Sequence, residues 1–476
     1  MANAKMTFLN QSEIDLIHTQ SIRALQEMGI KVHSSIVLKM LDDKGAHVDY
    51  TTMVVKIPER MVIEALAQAP KSFKLCARDP EHDLPLPAHP YPHATTSGLA
   101  VFVTDFQTGE YRKSTREDIA AFARLCDGLS PDFLWTAMTA SDVPELAHGP
   151  HEIWETLKNT RKHVQGVTVQ SAHDANVQIE LAALIAGGRE ALKERPLISV
   201  ISCPIAPLSF ETGSIEAQVE FAKAGIPICS MSMSLGGLSA PVTVAGMMMN
   251  ANAENLASLV ITQSAAPGAP HIYTSESAPM DMLSGSINYG APEKALISFG
   301  LGQMAKSYDL PSLVSDIGFG DDVKGGLEDI HFTANQFIGL TAYTDIITGM
   351  GGVDDAKGIS FEQLVIDSYM WDFFRDFMKE IEITEDKMGF ETIKNIGHGG
   401  DFLTSDHTLK YLRSDLTQWD RAKLDLLALE KTDMTQEANR IARQVLADHQ
   451  VPVLDEAVIR EGDRIIKAYE REVSGT

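Results

Sequence analysis

The stretch LISVISCPIAPLSFETGSIEAQVEFAKAGIPICSMSM, residues 197–233, decides the fold. It opens on an apolar run of strand length, 197–203, and closes on a second, 227–233. Between them, 215–224 carries apolar residues at helical spacing. The strands are near-continuous apolar runs instead of alternating ones, which is the pattern of a parallel strand buried on both faces. The same unit recurs outward in both directions. Strand-length runs fall at 94–103, 133–140, 163–169, 271–275, 312–317 and 344–350, and helical segments at 115–125, 174–185, 245–264, 292–307 and 326–340. Eight strand–helix units in about 290 residues predict an α/β chain built as a closed (β/α)8 barrel. A doubly wound open sheet has the same alternation, and spacing alone does not separate the two.

Flanking segments read differently. The first ninety residues read as helical, with Ser12 as the cap of a helix whose stripe is Ile14, Ile17, Ile22 and Leu25. A Pro-rich passage, 80–92, reads as a linker over the surface. Past 380 the chain is again helical and ends in an amphipathic segment, 455–473, read as a packing helix. The expected division is therefore 1–92, N-terminal helical segment and linker; 93–380, barrel; and 381–476, C-terminal helical extension.

Composition removes several functions. With 65 acidic against 40 basic residues, a formal net charge of −25 and no basic run, nucleic acid is not an expected partner. The apolar stretch 241–262 contains Asn250, Asn252, Glu254 and Asn255, so no membrane span is expected. Cys76, Cys126, Cys203 and Cys229 form no CxxC, and no signal peptide is read, so a reducing cytoplasm is the expected location. There is no GxxxxGK[ST], HExxH or GxSxG, and GMGGVDD at 349–355 reads as a tight turn. No metal site is expected. The candidate strands carry no inward lysine, which disfavours Schiff-base chemistry.

A barrel's chemistry sits at the C-terminal ends of its strands. There the sequence offers Tyr273 and Glu276 after the sixth strand, Asp316 and Phe319 after the seventh, and His398, Phe402 and His407 in a glycine-rich segment beyond the barrel. Asp281 and Glu293 read as loop and cap fasteners. Aromatic rings and carboxylates at one mouth suit a quaternary ammonium ion, because the ring face attracts the cation and the carboxylate sets the potential.

SGLAVFVTDFQTGEYRKSTREDIAAFARLCD (97–127), DMLSGSINYGAPE (281–293), SDIGFGDDVKGGLED (315–329) and GHGGDFLTSDHT (397–408) together resemble the trimethylamine methyltransferase (MttB-type) superfamily, over residues 10–470. The resemblance implies a barrel whose mouth receives a separate corrinoid protein. It further implies transfer of a methyl group from an amine to that protein's cobalt, in one-carbon metabolism of the methanogenic or acetogenic type. Trimethylamine enzymes of the family carry pyrrolysine at the end of the seventh strand. Here that position reads Ser315–Asp316–Ile317–Gly318–Phe319–Gly320, all ordinary residues. The chain thus resembles the branch without pyrrolysine, which demethylates quaternary amines such as glycine betaine, proline betaine and carnitine-like compounds.

The chemistry agrees. A quaternary ammonium is already activated, since its leaving group departs as a neutral tertiary amine, so neither a general acid nor a covalent adduct is required. The protein must hold the cation, exclude water and aim one methyl. The expected roles are Asp316 and Glu276 at the reacting centre and Tyr273, Phe319, His398, Phe402 and His407 around the substrate. The corrinoid (cobalamin) is expected on a partner protein docking at the mouth, and the chain is expected to self-associate. His398, His407 and Arg112 are candidates for a substrate carboxylate, Arg112 reading better as a brace for the hairpin at 102–111. Two other readings are a zinc enzyme using Cys203 and Cys229, and a betaine-binding protein without catalysis.

Overall fold

A computed structural model of the chain describes residues 5–317, 341–354, 356–378, 380–415 and 434–475. Eight parallel strands follow one another in sequence order: β1 (His93–Thr96), β2 (Leu134–Trp135), β3 (Val164–Gly166), β4 (Ile198–Ser202), β5 (Ile228–Ser232), β6 (His271–Ser275), β7 (Ser312–Asp316) and β8 (Ile346–Met350). β8 pairs with β1, and a parallel bridge between Thr95 and Phe133 joins β1 to β2. That bridge closes the ring and decides against the open sheet, whose first and last strands would be edges. The helices between strands fall where their periodicity predicts, among them Arg116–Asp127, Thr212–Lys223, Val244–Ala265 and Pro292–Ser307. The helix expected over 326–340 lies outside the described residues.

Strand parity sorts the side chains into two cores. Phe133, Trp135, Ile201, Cys229, Met231, Ile272, Leu313 and Ile346 fill the barrel interior. Leu134, Val164, Val200, Ile228, Tyr273 and Ile347 belong to the clusters under the surrounding helices. The tilt of the strands advances each layer by about one residue per strand. Trp135, Ile201, Thr274 and Thr348, from the four even strands, therefore form one layer, resting on Thr95, Gln165, Cys229 and Leu313 from the odd strands. Gln165 donates to Cys229 Sγ across that lower layer (2.8 Å).

The strand expected over 94–103 is shorter. Leu99 takes a positive φ of 66°, and the chain leaves the barrel to pair Phe102–Thr104 with Tyr111–Lys113 and Gly358–Ser360. The first ninety residues contain three helices and also short strands. Ile30–Val32 runs parallel to Ser209–Phe210 and antiparallel to Val54–Lys56. The first helix, Gln11–Glu27, is capped by Asn10, not Ser12, because Glu13 three residues on returns the bond to complete a capping box. The Pro-rich passage keeps Pro80, Pro85 and Pro87 on the surface but turns Leu84 and Leu86 inward. Leu84–Leu86 pairs with Phe73–Leu75, and Leu75, Leu84 and Leu86 join the interior core. This strand pair is tied to the N-terminal ends of the barrel strands by His163 Nδ1 with Cys76 O (2.8 Å), just after Phe73–Leu75, and by Ala88 N–H donating to Asp345 (2.9 Å). It covers the N-terminal ends of the strands, and the strand-end carboxylates lie at the opposite, C-terminal end.

The polar residues of Val244–Ala265 are buried adhesives. Asn255 both accepts from and donates to the Thr274 backbone (3.0 Å each), and Glu254 accepts from Ser232 Oγ and Leu208 N–H. Among the described residues no helix is long and apolar enough to cross a membrane.

The last helix, Glu456–Ser474, packs on the barrel's outer layer. Gly462 lies against Trp154, where a Cβ would come within 2.1 Å of the ring, and Trp154 Nε1 donates to Asp463 (2.9 Å). Gly462→Ala is expected to lower stability by about 2 kcal/mol through overpacking. Urea denaturation and the rate of C-terminal proteolysis check it; unchanged values would mean the helix does not dock this way.

Candidate active site at the barrel mouth

Two of the strand-end carboxylates come together, through a residue the sequence reading passed over. Glu276 follows β6 at inward parity with Ile272 and Thr274, and Asp316 ends β7. Lys294, third residue of the helix Pro292–Ser307, reaches between them. Its Nζ lies 2.9 Å from Glu276 Oε2 and 3.4 Å from Asp316 Oδ2. Pro292 opens this helix with its φ already set for it, so the first turn stands at the rim and points Lys294 back into the mouth. Glu276 and Lys294 are buried, while Asp316 keeps some solvent contact. Glu276 Oε1 is buried with no hydrogen-bond partner.

Burial, with Asp316 adding to it, raises the Glu276 carboxyl above its usual range even though Lys294 pulls it down. Burial acts to lower Lys294, but Glu276 and Asp316 outweigh it and hold its ammonium charged. Tyr289, in the loop before the helix, is close enough to act in the same direction on Lys294. With Lys294 charged, the trio carries at most one net negative charge. That suits a single cation better than an uncompensated carboxylate pair would, since removing two like charges from water is very unfavourable.

Cys203 follows β4, two strands from β6, at the inward parity of Ile201. Burial first, and then Glu254, pushes its thiol up to about 12. Burial raises Cys229 further, and Gln165 occupies its sulfur. Among the described residues no three His, Cys, Asp or Glu side chains stand grouped to hold a metal ion.

The other expected residues do not join the trio. Tyr273 sits on β6 at the parity opposite to Ile272, which turns it away from the interior. It is buried under the outer helices and donates to Asn252 Oδ1 (3.0 Å). It is a packing residue, which corrects its expected place at the substrate. Tyr273→Phe is expected to lose about 1 kcal/mol of stability with ligand binding at the mouth unchanged. Thermal unfolding and ligand titration check it; a binding defect would return Tyr273 to the site. Phe319 lies outside the described residues. His407 is held by the carbonyls of Asp386 and Lys387 (3.2 and 3.1 Å) and leans on Tyr411. His398 and Phe402 are exposed on the same C-terminal segment, and no contact among the described residues brings the three to Glu276, Asp316 or Lys294. Arg112 braces the hairpin, bonded to Asp105 (2.8 Å) and to both oxygens of Asp118 (2.7 and 2.9 Å). Asp281 fastens its loop by accepting from Leu283 N–H and Ser284 Oγ.

Comparison with known proteins shows the family. The family model described as trimethylamine methyltransferase (MTTB) matches residues 2–473. Trimethylamine methyltransferase MttB of Desulfitobacterium hafniense (strain DSM 10664 / DCB-2) is 30% identical over 467 residues, covering 97% of this chain and 94% of its own. The glycine betaine methyltransferase of Desulfitobacterium hafniense (strain Y51) is 30% identical over 463 residues, covering 95% and 94%. Among solved structures, the monomethylamine methyltransferase of Methanosarcina barkeri aligns over 94% of this chain and 96% of its own, at 11% identity and a TM-score of 0.47. The chain belongs to the trimethylamine methyltransferase (MTTB) family, and is a methyltransferase built on a (β/α)8 barrel.

Proposed function

We propose that the chain transfers a methyl group from a quaternary amine, glycine betaine first among them, to the cobalt of a corrinoid carried by a separate protein. The observation that carries this reading is the Glu276–Lys294–Asp316 trio at the mouth, whose net charge of at most one suits one permanent cation. The relative named glycine betaine methyltransferase supports the substrate class. The reduced corrinoid supplies a strong nucleophile at the methyl carbon. The chain's own part is to seat the ammonium against Glu276 and Asp316, to shield it from water and to leave one methyl facing outward. The rim offers a surface for such an acceptor protein: Leu238, Val242, Met282 and Leu283 stand exposed on the loops after β5 and β6. Those loops are pinned together by the short ladder of Leu235–Gly236 with Ala278–Pro279. Because the substrate's charge disappears as the methyl departs, a moderated carboxylate set opposes the reaction less than a fully acidic cage would.

The test mixes the purified chain with cob(I)alamin and a panel of glycine betaine, proline betaine, carnitine and trimethylamine. Loss of the cobalt(I) absorbance with equimolar dimethylglycine is expected for glycine betaine. Reaction with trimethylamine alone would overturn the reading, as would betaine binding without any demethylation.

A further inference from the structure

Trp135 is unused by the trio, and its placement is not that of an ordinary core residue. It projects inward from β2, on the far side of the barrel from β6 and β7, which carry Glu276 and Asp316. In its layer stand Ile201, Thr274 and Thr348, and beneath it Thr95, Gln165, Cys229 and Leu313 close the barrel. Trp135 keeps 7% of its surface exposed, and the layer beneath it is filled by the side chains of the odd strands. The turn after β1 is fitted to the ring: a Cβ on Gly98 would fall 2.4 Å from Trp135 Cε3. The indole N–H is buried and has no hydrogen-bond partner. Phenylalanine would fill the same direction without stranding a donor, so packing alone does not account for tryptophan. What tryptophan adds over phenylalanine is a larger and more electron-rich π face, the best of the aromatic surfaces for a cation.

We infer that Trp135 is the floor of the substrate site, its indole face receiving the methyl groups of the quaternary ammonium opposite the Glu276–Lys294–Asp316 trio. The inference rests on the proposed use of a quaternary amine and names a residue that selects for it. An ammonium so placed has a carboxylate on one side and a π face on the other. The ring's attraction weakens less abruptly than a carboxylate's as the charge moves off nitrogen, so Trp135 holds the substrate without pinning it in its ground state.

The test measures equilibrium binding of tetramethylammonium, glycine betaine and 3,3-dimethylbutanoate, the neutral-headed carbon analogue of betaine, to the full chain. Trp135→Phe is expected to fold as well as the parent and to bind both cations about fivefold more weakly, with Trp135→Leu weaker still. Site-specific replacement of Trp135 by mono-, di- and trifluorotryptophan, which keeps the shape and drains the π face, is expected to lower cation affinity stepwise while 3,3-dimethylbutanoate binding stays constant. Unchanged cation affinity across that series, or an equal loss for the carbon analogue, overturns the role of Trp135. If the parent binds the cations but demethylates none, the proposed reaction fails while the Trp135 site stands, so the two failures are distinguishable.

Discussion

Lys294→Met is expected to be the most destabilising single change at the mouth, losing about 3–5 kcal/mol at neutral pH. Lys294 is the cation between two carboxylates, one of them buried, at 2.9 and 3.4 Å. Removing it while leaving both acids in place strands buried like charges. Glu276 then has only the influences that raise it, burial and Asp316, and takes up a proton. The variant's stability should therefore depend on pH with a definite sign. A group whose folded pKa lies above its unfolded value of about 4.3 stabilises the fold fully below that value, and the contribution disappears as pH rises through the folded pKa. The variant should be most stable near pH 5 and weaken steadily towards pH 8. The parent keeps its counter-ion across that window, because Lys294 itself is raised and loses its charge only in strong alkali. Urea midpoints at unit pH steps decide the matter. A variant with a flat profile at parental stability would mean the three groups are not enclosed together, and the charge argument for a monocation would go with them. Restoring the pair's balance by Lys294→Met with Glu276→Gln should recover most of the loss, which a simple packing defect at residue 294 would not allow.

Much of this architecture was legible in the sequence, because parallel strands covered on both faces leave an unmistakable trace. Val200 and Ile228 serve the outer layer while Ile201 and Cys229 serve the interior, so the runs have no polar alternation to hide them. The strand-end carboxylates Glu276 and Asp316 were legible for the same reason, since the end of a strand is the mouth. Lys294 was missed because it belongs to a helix, where a lysine reads as solvent-facing. The usable signal was Pro292, which fixes the helix start and so puts residue 294 in the turn that lies on the rim. Tyr273 sits on β6 at the parity opposite to Ile272, an alternation the sequence already contains, and so faces the outer helices. Trp135 was overlooked inside an apolar run that reads simply as core. In the Pro-rich passage the prolines read as surface, while the alternation of Leu84 and Leu86 is a two-residue period that marks a short strand. Nothing in the glycine-rich segment with His398, Phe402 and His407 carries a period that would relate it to the barrel.

Asp316→Asn separates holding the substrate from transforming it. Asp316 is the member of the trio with most solvent contact, so under the proposed function it is the carboxylate an incoming cation meets, while Glu276 is buried with Lys294. A charge-assisted contact of this kind contributes about 1.5–3 kcal/mol, so the asparagine variant should raise KM for glycine betaine by ten- to a hundredfold. The effect on kcat should have the opposite character. In the bound substrate the nitrogen bears a full positive charge, and that charge declines as the C–N bond lengthens. The carboxylate therefore favours the ground state over the transition state, and its removal should leave kcat unchanged or slightly higher. Asparagine keeps the volume and retains an oxygen toward Lys294, so the fold should survive, which thermal unfolding checks. Steady-state kinetics with saturating cob(I)alamin across a range of betaine concentrations give both constants. Should kcat fall as far as kcat/KM, Asp316 would be acting on the departing methyl itself, and a site that merely seats, dries and aims an already activated cation would be the wrong description of this mouth.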